Sequence, residues 1–435
     1  MNRHFLPVSR LLGLVFSSSL FRAAGTYGFF SLLGAAIPFL LLPVMTRYLT
    51  PNDYGLVAIF GIMVTLITPF VGCNMHGAYS RAYFATDRFD VDVYMGTVVG
   101  FVLVSGTAFL GVVYFFRGTI GDLFSFPSSW VWIVPIVATS SVLAEIVLVA
   151  WQVREAPSSY GIFQNGRTLF EILGALFLVV VLGMGWQGRL ISRIVIFVLF
   201  ACLGIFVLLR GNWLSLRFNK SYLCHALSFG IPLIPHSLAG ILNTTIDRIF
   251  ITNMVGMTET GLYTVGYQIG SIIVLVAGAF NKAYVPWLFN KLNRDSWREK
   301  INIVRLTYIY FFISTLGVFI FSWISPLLMS VFVGKAFKDS TIFIIWIAMG
   351  SAFNGMYYMV VNYIFYAEKT YLLAWVTFLG AIINVVLNYF FIRLNGAVGA
   401  AQATSLSCFI SFVFVWYLSA KAYRMPWKDA LNITN

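Results

Sequence analysis

The chain has 435 residues, of which 60% are hydrophobic and only 10% charged, and its mean hydropathy is +0.87. A soluble domain carries about 25% charged residues, so this chain cannot cover itself in water and is excluded as a soluble globular protein. The formal net charge of +13 is spread over short connections rather than one basic patch. That sets nucleic acid aside and leaves an anionic membrane leaflet or an anionic substrate as partners for the charge.

Residues 1–24 open like a signal peptide, with Arg3 and Arg10 before Leu11-Leu12-Gly13-Leu14-Val15-Phe16. Ser17-Ser18-Ser19 and Arg22 interrupt that apolar core and a full span follows, so an uncleaved cytoplasmic amphipathic lead-in is expected. Twelve apolar stretches then follow, each of about 20 residues and long enough to cross a bilayer. They fall near 25–47, 54–73, 94–116, 130–152, 160–183 and 190–210, then 225–250, 261–285, 303–325, 341–366, 371–392 and 398–420. Thr50-Pro51-Asn52, Phe126-Pro127-Ser128, Ala156-Pro157-Ser158 and Leu394-Asn395-Gly396 punctuate the boundaries. The 42 Phe, 22 Tyr and 12 Trp suit lipid contact and interfacial belts. Cys73, Cys202, Cys224 and Cys408 are scattered through apolar runs, so neither disulfide nor metal is implied.

The halves repeat. Thr46-Arg47-Tyr48-Leu49-Thr50-Pro51-Asn52-Asp53-Tyr54-Gly55-Leu56 joins the first two stretches. About 206 residues later, Thr252-Asn253-Met254-Val255-Gly256-Met257-Thr258-Glu259-Thr260-Gly261-Leu262 occupies the same kind of junction. Ala78-Tyr79 is echoed by Ala283-Tyr284, and Gly185-Trp186-Gln187-Gly188 by Gly396-Ala397-Val398-Gly399. With the N-terminus inside, most of the 28 Lys and Arg collect on the cytoplasmic side, while Arg189 and Arg193 fall at the outer one. Both termini are therefore expected in the cytoplasm. An even number of spans per half makes the repeats parallel, with a lobe of helices 1–6 over 25–210, a linker over 211–224, a lobe of helices 7–12 over 225–420 and a cytoplasmic tail over 421–435.

Arg47-Tyr48-Leu49-Thr50-Pro51-Asn52-Asp53-Tyr54-Gly55-Leu56 resembles the corresponding segment of the Wzx-type polysaccharide flippases. So do Asp247-Arg248-Ile249-Phe250, Gly261-Leu262-Tyr263 and Gly266-Tyr267. These flippases belong to the multidrug/oligosaccharidyl-lipid/polysaccharide exporter superfamily. The resemblance implies an all-α polytopic, MATE-like protein of twelve helices in two lobes forming a V around a polar cavity. It also implies translocation of an undecaprenyl-pyrophosphate-linked oligosaccharide, an O-antigen unit, across the bacterial inner membrane, beside an O-antigen polymerase and chain-length regulator. The sequence shows no nucleophile–His–carboxylate arrangement, metal-ligand spacing or phosphate-cradling glycine loop, so neither a cofactor nor an enzymatic step is expected.

Charges inside spans are expensive and usually turn toward such a cavity. Arg167 is the first candidate to hold the pyrophosphate, since a guanidinium pairs with phosphate oxygens through parallel hydrogen bonds. Glu171, four residues on, stands on the same helical face, so a structural ion pair is the alternative. Glu145, Glu171 and Asp247 are candidates for coupling transport to a proton or sodium gradient. For Glu145 the alternative is hydrogen bonding to Ser140, Ser141 or a neighbouring helix. Asp247 and Arg248 are cavity candidates by resemblance, or else a self-paired helix end whose arginine snorkels to the interface. Arg22, Arg81 and Lys282 can form a cytoplasmic mouth for phosphate, or simply express the positive-inside bias. Asn243, Gln268, Asn354, Asn384 and Asn388 offer uncharged partners to sugar hydroxyls, or to each other between helices. His236 reads as a hydrogen-bonded residue of the helix interior. Pro38, Pro43, Pro232 and Pro235 mark possible bends in the first helix of each half.

Two other functions stay open. A multidrug extruder of the same superfamily would want an acidic lining for organic cations. A membrane-embedded polysaccharide polymerase or ligase would want a substantial outer loop, whereas the larger polar loops, near 74–93 and 286–302, lie on the cytoplasmic side.

Overall fold

The structure, a computed structural model, describes residues 19–369 and 371–431, with backbone alone for 19–25, 27, 29, 31, 32, 35, 36, 38, 374, 375 and 431. The lead-in expected over 1–24 therefore lies almost wholly outside the described residues. The described residues form helices and no strand. Among the described residues eleven helices, single or joined end to end, are long and apolar enough to cross a membrane. Helix α1, Ser19–Tyr48, is a further long helix, and its Phe39–Tyr48 portion is apolar.

By their contacts the residues form two units. The first holds residues up to Tyr48, Met63–Asp122 and Phe126–Pro235; the second holds Leu49–Ile62, Leu123–Ser125 and the chain from His236 onward. Helix α2, Pro51–Gly72, thus gives its first half to the second unit and its second half to the first. A reciprocal cap starts it: the Thr50 backbone N–H and hydroxyl donate to Asp53 Oδ2 at 3.0 and 2.8 Å, and the Asp53 N–H donates back to the Thr50 hydroxyl at 3.2 Å. Pro51 at the first helical position loses no intrahelical hydrogen bond.

In the first unit follow α3, Met75–Tyr83; α4, Val91–Phe115; α5, Arg117–Leu123; α6, Ser128–Val131; α7, Val134–Val153; α8, Pro157–Leu176; α9, Gly185–Arg210; and α10, Lys220–Gly230. The apolar α7 is its core, packed against α4 and α9. The segment expected as a linker over 211–224 runs into α10. Asn219 caps α10 through the Ser221 and Tyr222 N–H groups, and Tyr94 Oη meets His225 Nδ1 at 2.9 Å, fixing α10 to α4. The expected single span over 225–250 is broken between α10 and α11, Ile234–Met254, by a 3-10 turn at Ile231–Leu233, where Pro232 and Pro235 withhold two backbone donors.

The second unit continues with α12, Met257–Gly270; α13, Ile272–Leu292; α14, Trp297–Phe332; α15, Thr341–Tyr366; α16, Tyr371–Asn395; and α17, Ala397–Ala422. Here α15 is central and touches α12, α13, α14 and α17. Of the tail expected over 421–435, the described residues to 431 pack onto this unit. Met425 and Ala430 are buried beside Tyr284, Leu288 and Tyr363, Tyr308 donates to the Trp427 carbonyl at 3.0 Å, and Arg305 Nε donates to the Ala430 carbonyl at 3.2 Å. Apolar Met425, Trp427 and Ala430 supply the reason, since they gain burial there.

The repeat is visible in the backbone. Gly185 and Gly396, at equivalent helix starts, have φ of +56° and +58°, a region costly to any residue with a Cβ.

Candidate functional site

Antiparallel neighbours α8 and α9 bring three arginines to one carboxylate. Arg167 lies ten residues into α8, about 15 Å from its start, and Arg193 eight residues into α9, about 12 Å from its start, so both are well inside the spans. Arg167 and Arg193 set their guanidinium groups 4.7 and 5.2 Å from the centre of the buried Phe197 ring. Glu171 is the acidic group acting most strongly on each of them, and Glu145 acts on Arg167 as well. The carboxylate itself is paired with a third arginine, Arg189, at 3.4 Å. Among the described residues no ion pair joins Glu171 to Arg167, so the pairing allowed by their four-residue spacing is replaced by one between helices.

Three guanidinium groups against Glu171 and the more distant Glu145 leave a surplus of positive charge. Arg189 Nη1 and Arg193 Nε are buried without a hydrogen-bond partner. Buried, unpartnered donors on charged groups are costly, and an anion with several oxygens satisfies them. Arg189 and Arg193, which the sequence places among the outer-side basic residues, lie four and eight residues into α9, because that helix begins at Gly185 rather than near 190. Their spacing of four, matching one helical face, was the available signal.

Glu145 is exposed on α7, and its near neighbours in charge are Arg167 and His76 of α3. Burial lowers the His76 pKa below its ordinary 6.5, and the Glu145 carboxylate opposes that shift.

In the second unit Asp247 and Arg248 are buried at 4% and 9% exposure, so Arg248 does not snorkel. Tyr263 donates to Asp247 Oδ2 at 2.5 Å. Arg248 Nη1 reaches Asp247 Oδ1 at 3.5 Å and the Thr244 carbonyl at 2.9 Å, and the guanidinium lies 4.2 Å from the centre of the Tyr267 ring. An aromatic lid and an adjacent carboxylate make burial affordable for that cation.

The uncharged residues divide. Asn243, Asn354 and Asn384 converge on a polar niche of about 270 Å³ among α11, α15, α16 and α17, with Tyr357, Tyr358 and Thr404. Asn388 instead donates to Asn384 Oδ1 at 3.1 Å and its carbonyl at 2.9 Å, within one helix. Gln268, His236, Arg81 and Lys282 are exposed on α12, α11, α3 and α13 and are not drawn into either cluster. The side chain of Arg22 lies outside the described residues.

This architecture is a multi-pass helical one of MATE-like fold. It is similar to an inward-facing multidrug resistance MATE family transporter of the MOP superfamily, with TM-score 0.70 and 12% identity over 89% of this chain and 94% of that one. It is also similar to the lipid II flippase MurJ in an inward closed conformation, with TM-score 0.68 and 15% identity over 91% of this chain and 87% of that one. The chain belongs to the polysaccharide biosynthesis protein family, whose model matches residues 20–291. A Haemophilus influenzae protein of the Lsg locus is 26% identical over 80% of this chain and 85% of its own length. The capsular polysaccharide biosynthesis protein CapF of Staphylococcus aureus is 21% identical over 90% of this chain and 97% of its own. The family expected from the junction motifs is thus the one found.

Proposed function

We propose that this protein is a flippase that carries an undecaprenyl-pyrophosphate-linked oligosaccharide, an O-antigen repeat unit, from the cytoplasmic to the periplasmic leaflet of a bacterial inner membrane. It works by alternating access, drawing on a proton or sodium gradient, with both termini in the cytoplasm, and delivers its product to the O-antigen polymerase and chain-length regulator. The sugar–pyrophosphate head is strongly hydrated and loses its partners in hydrocarbon, so a carrier must replace them within the bilayer. The observation carrying this reading is the cluster of Arg167, Arg189 and Arg193 around Glu171, with unpartnered buried donors on two of the three arginines. Such a lining suits a diphosphate and repels organic cations. Membership of a polysaccharide biosynthesis family and likeness in fold to a lipid II flippase support the same reading.

The test is reconstitution in vesicles with a fluorescent polyprenyl-pyrophosphate glycan whose movement between leaflets is followed by membrane-impermeant quenching. The wild type moves the lipid, and Arg193→Gln, inserted at equal level, slows it by at least about tenfold, the worth of one charge-assisted hydrogen bond. Transport of a cationic dye with no movement of the lipid would replace this reading with a multidrug extruder.

A further inference from the structure

The niche in the second unit is unlike the arginine cluster in every chemical respect. Among the described residues its lining carries no charged side chain. Its polar groups come from the middles of their helices: Asn354 is thirteen residues into α15, Asn384 thirteen into α16, and Ser411 fourteen into α17. At that depth there is no bulk water to serve unsatisfied amides and hydroxyls, and each costs free energy unless something meets it. Yet among the described residues the side chains of Asn354, Tyr357, Tyr358, Thr404 and Ser411 make no hydrogen bond. Asn384 accepts one from Asn388 and keeps its own donors unused. Helix-to-helix bonding, the usual role for such residues in a membrane, therefore does not account for them.

An occupant must be uncharged, rich in both donors and acceptors, and larger than a single water, for which about 270 Å³ is far too roomy. Amides of Asn354 and Asn384 can each donate to one hydroxyl and accept from the next, while Tyr357 and Tyr358 add flat ring faces beside their hydroxyls. That set matches a neutral pyranose ring and offers nothing to an acidic one. We infer that this niche binds an uncharged sugar of the transported glycan and selects against sugars bearing a carboxylate. The inference rests on the flippase reading and adds to it a sugar contact within the second unit.

The full-length protein in nanodiscs is titrated with three probes: bare polyprenyl diphosphate, the same lipid carrying one N-acetylhexosamine, and the same lipid carrying one hexuronic acid. The wild type binds the hexosamine lipid about fivefold or more tighter than either other probe, the worth of one well-made neutral hydrogen bond. Asn354→Leu combined with Ser411→Ala abolishes that preference and leaves affinity for the bare lipid within about twofold, which also reports that the variant is folded. Equal binding of all three probes by the wild type overturns the sugar niche and leaves the flippase reading intact. A preference that survives in the double variant overturns it equally. Absence of binding to any of the three lipids by the wild type overturns both.

Discussion

Gly55 and Gly261, equivalent positions of the two junction motifs, stand against one another's backbones. A methyl on Gly261 would strike the Pro51 carbonyl oxygen and lie 3.0 Å from the Gly55 nitrogen, and one on Gly55 would strike the Met257 carbonyl oxygen. The duplicated motif is therefore a self-complementary contact between α2 and α12, each helix supplying one glycine where the other's backbone arrives. Backbone atoms cannot move aside as a side chain can, so Gly261→Val is expected to cost about 1–3 kcal/mol by overfilling. Thermal unfolding of the purified protein in detergent should show a lower midpoint, whereas Gly118→Ala, with open space around it, should leave the midpoint unchanged.

Glu171 competes with any bound anion for its arginines, since it already holds Arg189 at 3.4 Å. Glu171→Gln keeps the shape and removes the competing charge. Diphosphate affinity should rise several-fold while the rate of lipid movement falls, because release then lacks the returning carboxylate. Isothermal titration with inorganic pyrophosphate, read beside the vesicle assay, separates the two; unchanged affinity would detach Glu171 from the anion site.

Asp247 and Arg248 are a buried pair closed by Tyr263 and Tyr267. Removing one partner strands the other charge, so Arg248→Met alone should cost about 3–5 kcal/mol, while Asp247→Asn with Arg248→Met should recover much of it. Comparing unfolding midpoints of the two single variants and the double variant measures this directly. A double variant as unstable as the sum of the singles would contradict the pairing.

His76 makes stability depend on pH. Its pKa in the folded protein lies below the ordinary 6.5 because burial disfavours the imidazolium, with Glu145 the facing charge that opposes the shift. The unfolded chain therefore takes up the proton first, so the His76 contribution is fully present above about 6.5 and declines as pH falls below it toward the folded value. Unfolding midpoints measured from pH 8 down to 5 should fall for the wild type, and His76→Gln should flatten that slope. An unchanged slope in the variant would assign the pH dependence to another group.

Much of the fold was legible because long apolar runs and their turn residues follow from helix length and bilayer thickness alone. The junction motifs were visible as a repeat, though not as two surfaces that touch. Sites were harder. Arg167 and Glu171 stand out as charges in apolar helices, and Asn243, Asn354 and Asn384 as uncharged polar ones, but Arg189 and Arg193 sit so near the expected start of a span at 190 that they count only as outer-side basic residues. Arg22, Arg81 and Lys282 carry the positive-inside signal whether or not they touch substrate, so their pattern could not separate the two roles.

The sequence by itself determined a membrane-spanning helical chain, duplicated and rich in intramembrane charge, because hydropathy and spacing act locally along the backbone. Only the tertiary structure decided that Glu171 pairs with Arg189 rather than Arg167, that Arg248 is buried under Tyr267, and that three asparagines from three different helices meet in one niche. Partners four residues apart on one helix are fixed by its period. Partners across helices depend on how each helix is rotated about its axis and on the reach of long side chains, and that is set by the fit of whole faces.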